Sequence, residues 1–158
     1  MKLQVANILA TVFFIGKFPI APGTAASLST NFFLYIFYIL DNSFFLFLTE
    51  YMFLIVPFLF LIGVVTSNIV ISDLKVKDPS IIVIDEWVGQ WIPFMFLSIN
   101  IENLIISFFL FRFFDISKVL YIKELEKLPN GWGVMMDDIL AGVYSLAILL
   151  FINLFIFY

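Results

Sequence analysis

Long apolar tracts alternate with short polar breaks along this chain, and the tracts are too long for the elements of a water-soluble core. Three stand out: Thr24 to Leu40, Phe44 to Ile71, and Ile139 to Phe157. Each approaches or exceeds the ~20 residues that a helix rising ~1.5 Å per residue needs to cross the hydrocarbon of a bilayer. Between the second and third lies Ile81 to Tyr121, apolar but interrupted at Asn100-Ile101-Glu102-Asn103, which reads as two crossings joined by a polar turn. Its first half, Ile81–Ile99, is the weakest of the crossings, because Asp85, Glu86, Gln90 and Pro93 interrupt it. Such breaks at membrane depth are tolerated where the backbone lines a cavity instead of lipid. The pattern predicts an all-α, polytopic membrane protein of about five transmembrane helices. Met1–Pro19 is too polar and too broken for a crossing and predicts an interfacial or re-entrant helix. Gly16, Lys17, Pro19 and Pro22 also interrupt the apolar core of a secretory signal, so no cleavage is expected there. No internal repeat divides the chain, and residues 1–158 are expected to form a single membrane-embedded domain.

Charge placement sets the sidedness. With five crossings, all seven lysines (Lys2, Lys17, Lys75, Lys77, Lys118, Lys123 and Lys127) share one side, while Asp41-Asn42-Ser43 and Asn100–Asn103 face the other without a cation. A single crossing between Ile81 and Tyr121 would put Lys118, Lys123 and Lys127 outside, against the positive-inside rule. The expected topology therefore has the N-terminus inside, the C-terminus outside and the lysine face at the cytoplasm.

Composition agrees and then narrows the chemistry. The 158 residues are 63% hydrophobic and only 13% charged, more apolar surface than a soluble domain of this size can bury. The absence of both cysteine and histidine excludes thiol nucleophiles, His/Cys zinc sites and Ser-His-Asp triads. A net charge of -4 with no basic stripe argues against a nucleic-acid partner. Any catalysis must rest on carboxylates, hydroxyls, Lys, Arg and a hard cation.

The acids themselves are oddly placed. Asp85 and Glu86 sit inside the apolar run Ile81-Ile-Val-Ile-Asp85-Glu86-Trp87, where an intramembrane carboxylate costs ~2.5–3.5 kcal/mol at a helix centre. A helix N-terminus, whose dipole favours acids, is the structural account of the same pair. Asp137 and Asp138 form a second adjacent pair opening the last span. Arg112 and Asp115, three apart, share a helix face and suit either a site or a plain ion pair. The five-crossing arrangement brings these residues to the inner leaflet, with Asp73 and Asp78 in the loop before Asp85. Carboxylates gathered without His or Cys suit Mg²⁺, Mn²⁺ or Ca²⁺. Pro19-Ile-Ala-Pro22-Gly23-Thr24 makes a fixed turn before a helix, whose free N–H groups favour an anion; Thr24 serves there as an N-cap or as a hydroxyl for a phosphate.

Four stretches together resemble the phosphatidylglycerophosphatase A family of bacterial membrane phosphatases. They are Ala21-Pro22-Gly23-Thr24-Ala25-Ala26-Ser27-Leu28, Asp78-Pro79 through Ile84-Asp85-Glu86-Trp87-Val88-Gly89, Phe111-Arg112-Phe113-Phe114-Asp115, and Gly131-Trp132-Gly133 through Met136-Asp137-Asp138-Ile139-Leu140-Ala141-Gly142. The resemblance implies an Mg²⁺-dependent phosphomonoesterase of the bacterial cytoplasmic (inner) membrane, converting phosphatidylglycerophosphate to phosphatidylglycerol at the cytoplasmic leaflet. Carried onto this chain, the acidic motif positions are Asp78, Asp85, Glu86, Asp115, Asp137 and Asp138, with Arg112 and Thr24 beside them. Some relatives carry histidines near the positions of Asn68 and Lys77; this chain has none.

On these residues the expected site has Asp85, Glu86, Asp137 and Asp138 as metal ligands. Arg112 clamps the phosphate, Asp115 orients Arg112 or completes the metal shell, and Gly23, Thr24 and Asp78 contact the substrate. Direct attack by water and attack by an aspartate both suit a carboxylate site. An ion-coupled transporter or channel is the main rival, since intramembrane acids also mark ion pathways, although no inverted repeat is present. A non-catalytic assembly subunit is the other, and it has no need of paired acids.

Overall fold

The structure is a computed structural model and describes residues 1–40 and 43–155. Among these the fold is entirely helical. The helices are α1 (Lys2–Ala10), α2 (Pro22–Leu40), α3 (Ser43–Glu50), α4 (Met52–Leu74), α5 (Ile84–Gly89), α6 (Ile101–Ser117), α7 (Ile122–Leu125) and α8 (Gly131–Phe155). Short 3₁₀ turns occupy Ile15–Lys17 and Ile92–Met95. Among the described residues three helices, α2, α4 and α8, are long and apolar enough to cross a membrane.

The apolar tracts and the helices differ at informative places. The Phe44–Ile71 tract is not one helix: it breaks at Tyr51, giving a short α3 and a 23-residue α4 that contains Pro57. The last helix starts well before its apolar tract, at Gly131, because Asn130 takes a left-handed conformation (φ 51°) and the Asn68 Oδ1 on α4 accepts the Gly131 N–H at 2.9 Å. Asp137 and Asp138 therefore lie within α8, past its first turn. Ile81–Ile99 is not a continuous helix either. It runs as six-residue α5 and then a 3₁₀ turn at Pro93, which has no N–H to continue an α-helical ladder. α6 begins cleanly at Asn100, whose side chain accepts the Asn103 N–H at 2.8 Å. Its 17 residues span about 26 Å at ~1.5 Å each. The expected outer turn at Asp41-Asn42 lies outside the described residues.

Two ends of the bundle can be told apart by their contacts. At one end the start of α2 meets α5 and the end of α6, where Gly23 faces Glu86 and Arg112. At the other, Asn153 of α8 donates to Asn103 of α6 at 2.9 Å, and Phe53 of α4 packs edge-on against Phe96. Midway, Gln90 ties three segments together, donating to Asn31 of α2 and Ser107 of α6, both at 3.1 Å, while Asn31 donates to the Leu104 carbonyl. Unpaired polar groups are costly in an apolar medium, so this cluster pins α2, α5 and α6 in one register. α5 and α8 approach closely through glycines. A Cβ on Gly142 would come within 2.5 Å of the Gly89 carbonyl oxygen.

The N-terminal segment folds back on itself. α1 packs along α4, and Val12, Phe13 and Phe14 all take positive φ before the 3₁₀ turn returns the chain toward Ile81. The Ala10 carbonyl accepts the Val83 N–H at 2.9 Å, which anchors the start of α5.

Candidate active site

A cavity of about 380 Å³ opens at the end of the bundle where α2 begins, α6 ends and α8 begins. Its lining includes Gly23, Asp78, Asp85, Glu86, Arg112, Asp115, Asp137 and Asp138, so eight residues singled out in the sequence meet in one place. Thr24 sits half-buried on the first turn of α2 and is not among the lining residues. Asp73 is exposed and lies outside the lining as well.

The acids divide into two groups by what they touch. One comprises Asp85, Glu86 and Asp138, which bring one carboxylate oxygen each within 4.8 Å of one another. Among the described residues, Asp85 Oδ1, Glu86 Oε2 and Asp138 Oδ1 are buried without a hydrogen-bond partner. Three buried carboxylate oxygens without hydrogen-bond partners keep a desolvation cost and repel one another. Their chemistry fits a hard divalent cation with all-oxygen ligands.

The other group is Asp115 and Asp137, and both are occupied. Lys118 Nζ lies 2.6 Å from Asp137 Oδ2, 3.1 Å from Asp115 Oδ1 and 3.8 Å from Asp138 Oδ1. Arg112 Nη1 pairs with Asp115 Oδ2 at 2.5 Å and lies 3.9 Å from Glu86 Oε1. Asp137 Oδ1 accepts the Asp138 N–H at 3.0 Å. Burial pulls the Lys118 ammonium toward neutrality, but Asp138, Asp137 and Asp115 together outweigh it and hold the group well above the usual lysine range.

Local backbone explains the placement. α6 ends at Lys118, a non-glycine residue in the left-handed region (φ 47°), which turns the chain and lays the side chain back over Asp115. That conformation costs ~1–2 kcal/mol for an L-residue with a Cβ, a strain of the kind that collects at functional sites. Gly23 is required by space. A Cβ there would stand 2.0 Å from Glu86 Oε1 and 3.2 Å from Arg112 Nη1. The absent side chain lets the start of α2, with N–H groups of Gly23 and Thr24 unused by the helix, approach the Arg112 and Glu86 pair.

Lys118 reads in the sequence as one of the lysines that set the topology, although its spacing of three from Asp115 already places both on one helix face. Its reach to Asp137 across the α6–α8 turn was not legible. Lys77, Glu126 and Asn130 also line the cavity; they sit in loops, where periodicity carries no signal.

The family model described as Phosphatidylglycerophosphatase A matches residues 8–153 of the chain. A Bacteroides thetaiotaomicron protein, named provisionally as a phosphatidylinositol-3-phosphatase, is 39% identical over 142 residues, covering 87% of this chain and 87% of that protein. Haemophilus influenzae and Escherichia coli proteins named Phosphatidylglycerophosphatase A are 36% identical over 149 residues and 35% identical over 157 residues. These matches cover 92% and 96% of this chain, and 87% of each relative. No solved structure matches.

Proposed function

The chain belongs to the phosphatidylglycerophosphatase A family and is a phosphatase; from that premise we propose that it hydrolyses phosphatidylglycerophosphate to phosphatidylglycerol and phosphate, with Mg²⁺, at the cytoplasmic leaflet of a bacterial inner membrane. The observation that carries this reading is the single cavity shared by a buried guanidinium, a helix start and three unpartnered carboxylate oxygens.

Asp85, Glu86 and Asp138 would hold Mg²⁺, which when bound neutralises phosphoryl charge and acidifies a water for attack. The remaining work falls to the protein. Arg112 is oriented by Asp115 and lies beside Gly23, so the guanidinium and the start of α2 together receive the phosphate oxygens. Glu86 lies between the metal-holding oxygens and Arg112, and its Oε2 has no partner among the described residues. One carboxylate of the cluster takes the proton released by the attacking water. Lys118 holds Asp137 and Asp115 apart from the reacting phosphate and fixes the start of α8 against the end of α6. Acyl chains remain in lipid while the headgroup enters at the helix ends.

The same reading gives the membrane topology. Five passes connect the carboxylate end and the Asn103–Asn153 end: α2, α4, the broken segment from Ile84 through Asn100, α6 and α8. Lys75 and Lys77 follow α4, and Lys118, Lys123 and Lys127 follow α6, at the carboxylate end. That end therefore faces the cytoplasm.

A lipid phosphomonoester is common to the names of the relatives, and their headgroups differ. Phosphate release by the purified chain in micelles, compared between phosphatidylglycerophosphate and phosphatidylinositol 3-phosphate, tests the substrate. Preference for the first by at least ~10-fold in kcat/KM supports the proposal, corresponding to ~1.4 kcal/mol; the reverse preference overturns its headgroup assignment.

A further inference from the structure

The number of cations the site accepts is written in the division of its acids. Resting on the metal-dependent phosphatase reading, we propose that the Lys118 ammonium is a resident cation: it fills the Asp115–Asp137 half of the cluster and restricts the site to one divalent ion, held by Asp85, Glu86 and Asp138.

All four carboxylate oxygens of Asp115 and Asp137 are engaged. Lys118 takes Asp115 Oδ1 and Asp137 Oδ2, Arg112 takes Asp115 Oδ2, and the Asp138 N–H takes Asp137 Oδ1. The other three acids each keep a buried oxygen without a hydrogen-bond partner among the described residues. A second ion beside Asp137 would have to displace an ammonium that already touches carboxylates from two helices. Two-metal phosphatase sites place their ions ~3.5–4 Å apart between bridging carboxylates. Here the carboxylates that would share a second ion already share the ammonium: Lys118 Nζ reaches Asp137 Oδ2 at 2.6 Å, Asp115 Oδ1 at 3.1 Å and Asp138 Oδ1 at 3.8 Å. Position adds to this. Lys118 reaches the cluster from a left-handed residue at the end of α6, a conformation that glycine adopts more readily but from which glycine could offer no charge. Lys127 makes the contrast, pairing with Glu124 on an open surface with 65% and 60% of the two side chains exposed.

Asp137 is on this account a positioning residue and Asp138 a ligand, although the two are adjacent and chemically identical. The test is Mn²⁺ binding to the full chain in detergent micelles, counted by electron paramagnetic resonance without substrate. Wild type is expected to bind one ion per chain. Asp138→Asn should lose saturable binding. Asp137→Asn should keep one ion, weakened by no more than the ~10–100-fold typical of groups outside the ligand set. Lys118→Met should bind two. Two ions in wild type, loss of binding in Asp137→Asn, or a folded Lys118→Met that still binds one ion would overturn the proposal. If Lys118→Met does not fold, the comparison of Asp137→Asn with Asp138→Asn decides. Because no substrate is present, a wrong headgroup assignment leaves these counts unchanged and is detected separately by phosphate release.

Discussion

A glycine and an arginine decide most of what the site can do at the scale of single residues. Gly23→Ala adds one carbon, yet that carbon would sit 2.0 Å from Glu86 Oε1, so the carboxylate must swing away from its position between Arg112 and the ligand cluster. We expect kcat to fall by at least ~10-fold, the cost of ~1.4 kcal/mol in the transition state, while thermal unfolding in detergent shifts little. A loss of fold equal to the loss of activity would place Gly23 in packing alone. Arg112→Lys keeps the charge but not the planar fork, and Asp115 then loses the partner it has at 2.5 Å. A rise in KM together with a fall in kcat is the expected signature, measured on the micellar substrate. Direct attack by water further predicts that acid quenching during turnover traps no phosphoenzyme; a labelled aspartate would establish the covalent route instead. At this scale the sequence was informative about identity and less so about partnership. Paired acids inside apolar runs marked Asp85, Glu86, Asp137 and Asp138, because burying such groups is too costly to occur without cause. Which of them share oxygens with Lys118 depends on how α6 and α8 meet, and no local pattern records that.

Among the elements, α5 and α8 carry the Asp85, Glu86 and Asp138 carboxylates, and their spacing is held by Gly89 and Gly142. A side chain at Gly142 would meet the Gly89 carbonyl oxygen at 2.5 Å and Ile92 Cδ1 at 2.8 Å. Gly142→Val should therefore push the two apart, lower the unfolding midpoint by an amount consistent with the ~1–3 kcal/mol of overpacking, and weaken Mn²⁺ binding although no ligand has changed. Unchanged binding in this variant would mean that the ligand group does not depend on that contact. The helix boundaries show where sequence patterns stop being sufficient. Apolar length found α2, α4 and α8, and the polar break at Asn100-Ile101-Glu102-Asn103 marked where α6 begins, though not that Asn100 caps it. It missed the break at Tyr51, since both sides are equally apolar. It also started α8 too late, because the residues that extend it are Gly131 to Asp138, where the helix is held by Asn68 of another helix.

For the whole molecule, the account joins a membrane orientation to a lipid chemistry. Cysteines placed singly at Ser80 and at Ser98 in this cysteine-free chain should divide by side, with Ser80 labelled only from the cytoplasm and Ser98 only from the opposite face; labelling from one side would remove a crossing between them. The all-helical class was legible from composition and tract length, because uninterrupted apolar tracts of about 20 residues suit helices in a bilayer and not the short alternating strands of a barrel. The broken passage from Ile84 through Asn100 was legible only as a weak span, since Asp85, Glu86, Gln90 and Pro93 argue against a helix without saying what replaces it. The most direct test of the whole is phosphate release from phosphatidylglycerophosphate by the purified chain in micelles, with Mg²⁺ and with chelator, beside an Asp138→Asn variant that remains monodisperse. The account predicts release that requires Mg²⁺ and falls by at least ~100-fold in the variant, about 2.7 kcal/mol of transition-state stabilisation. Release that persists in chelator, or an Asp138→Asn variant as active as wild type, would contradict it.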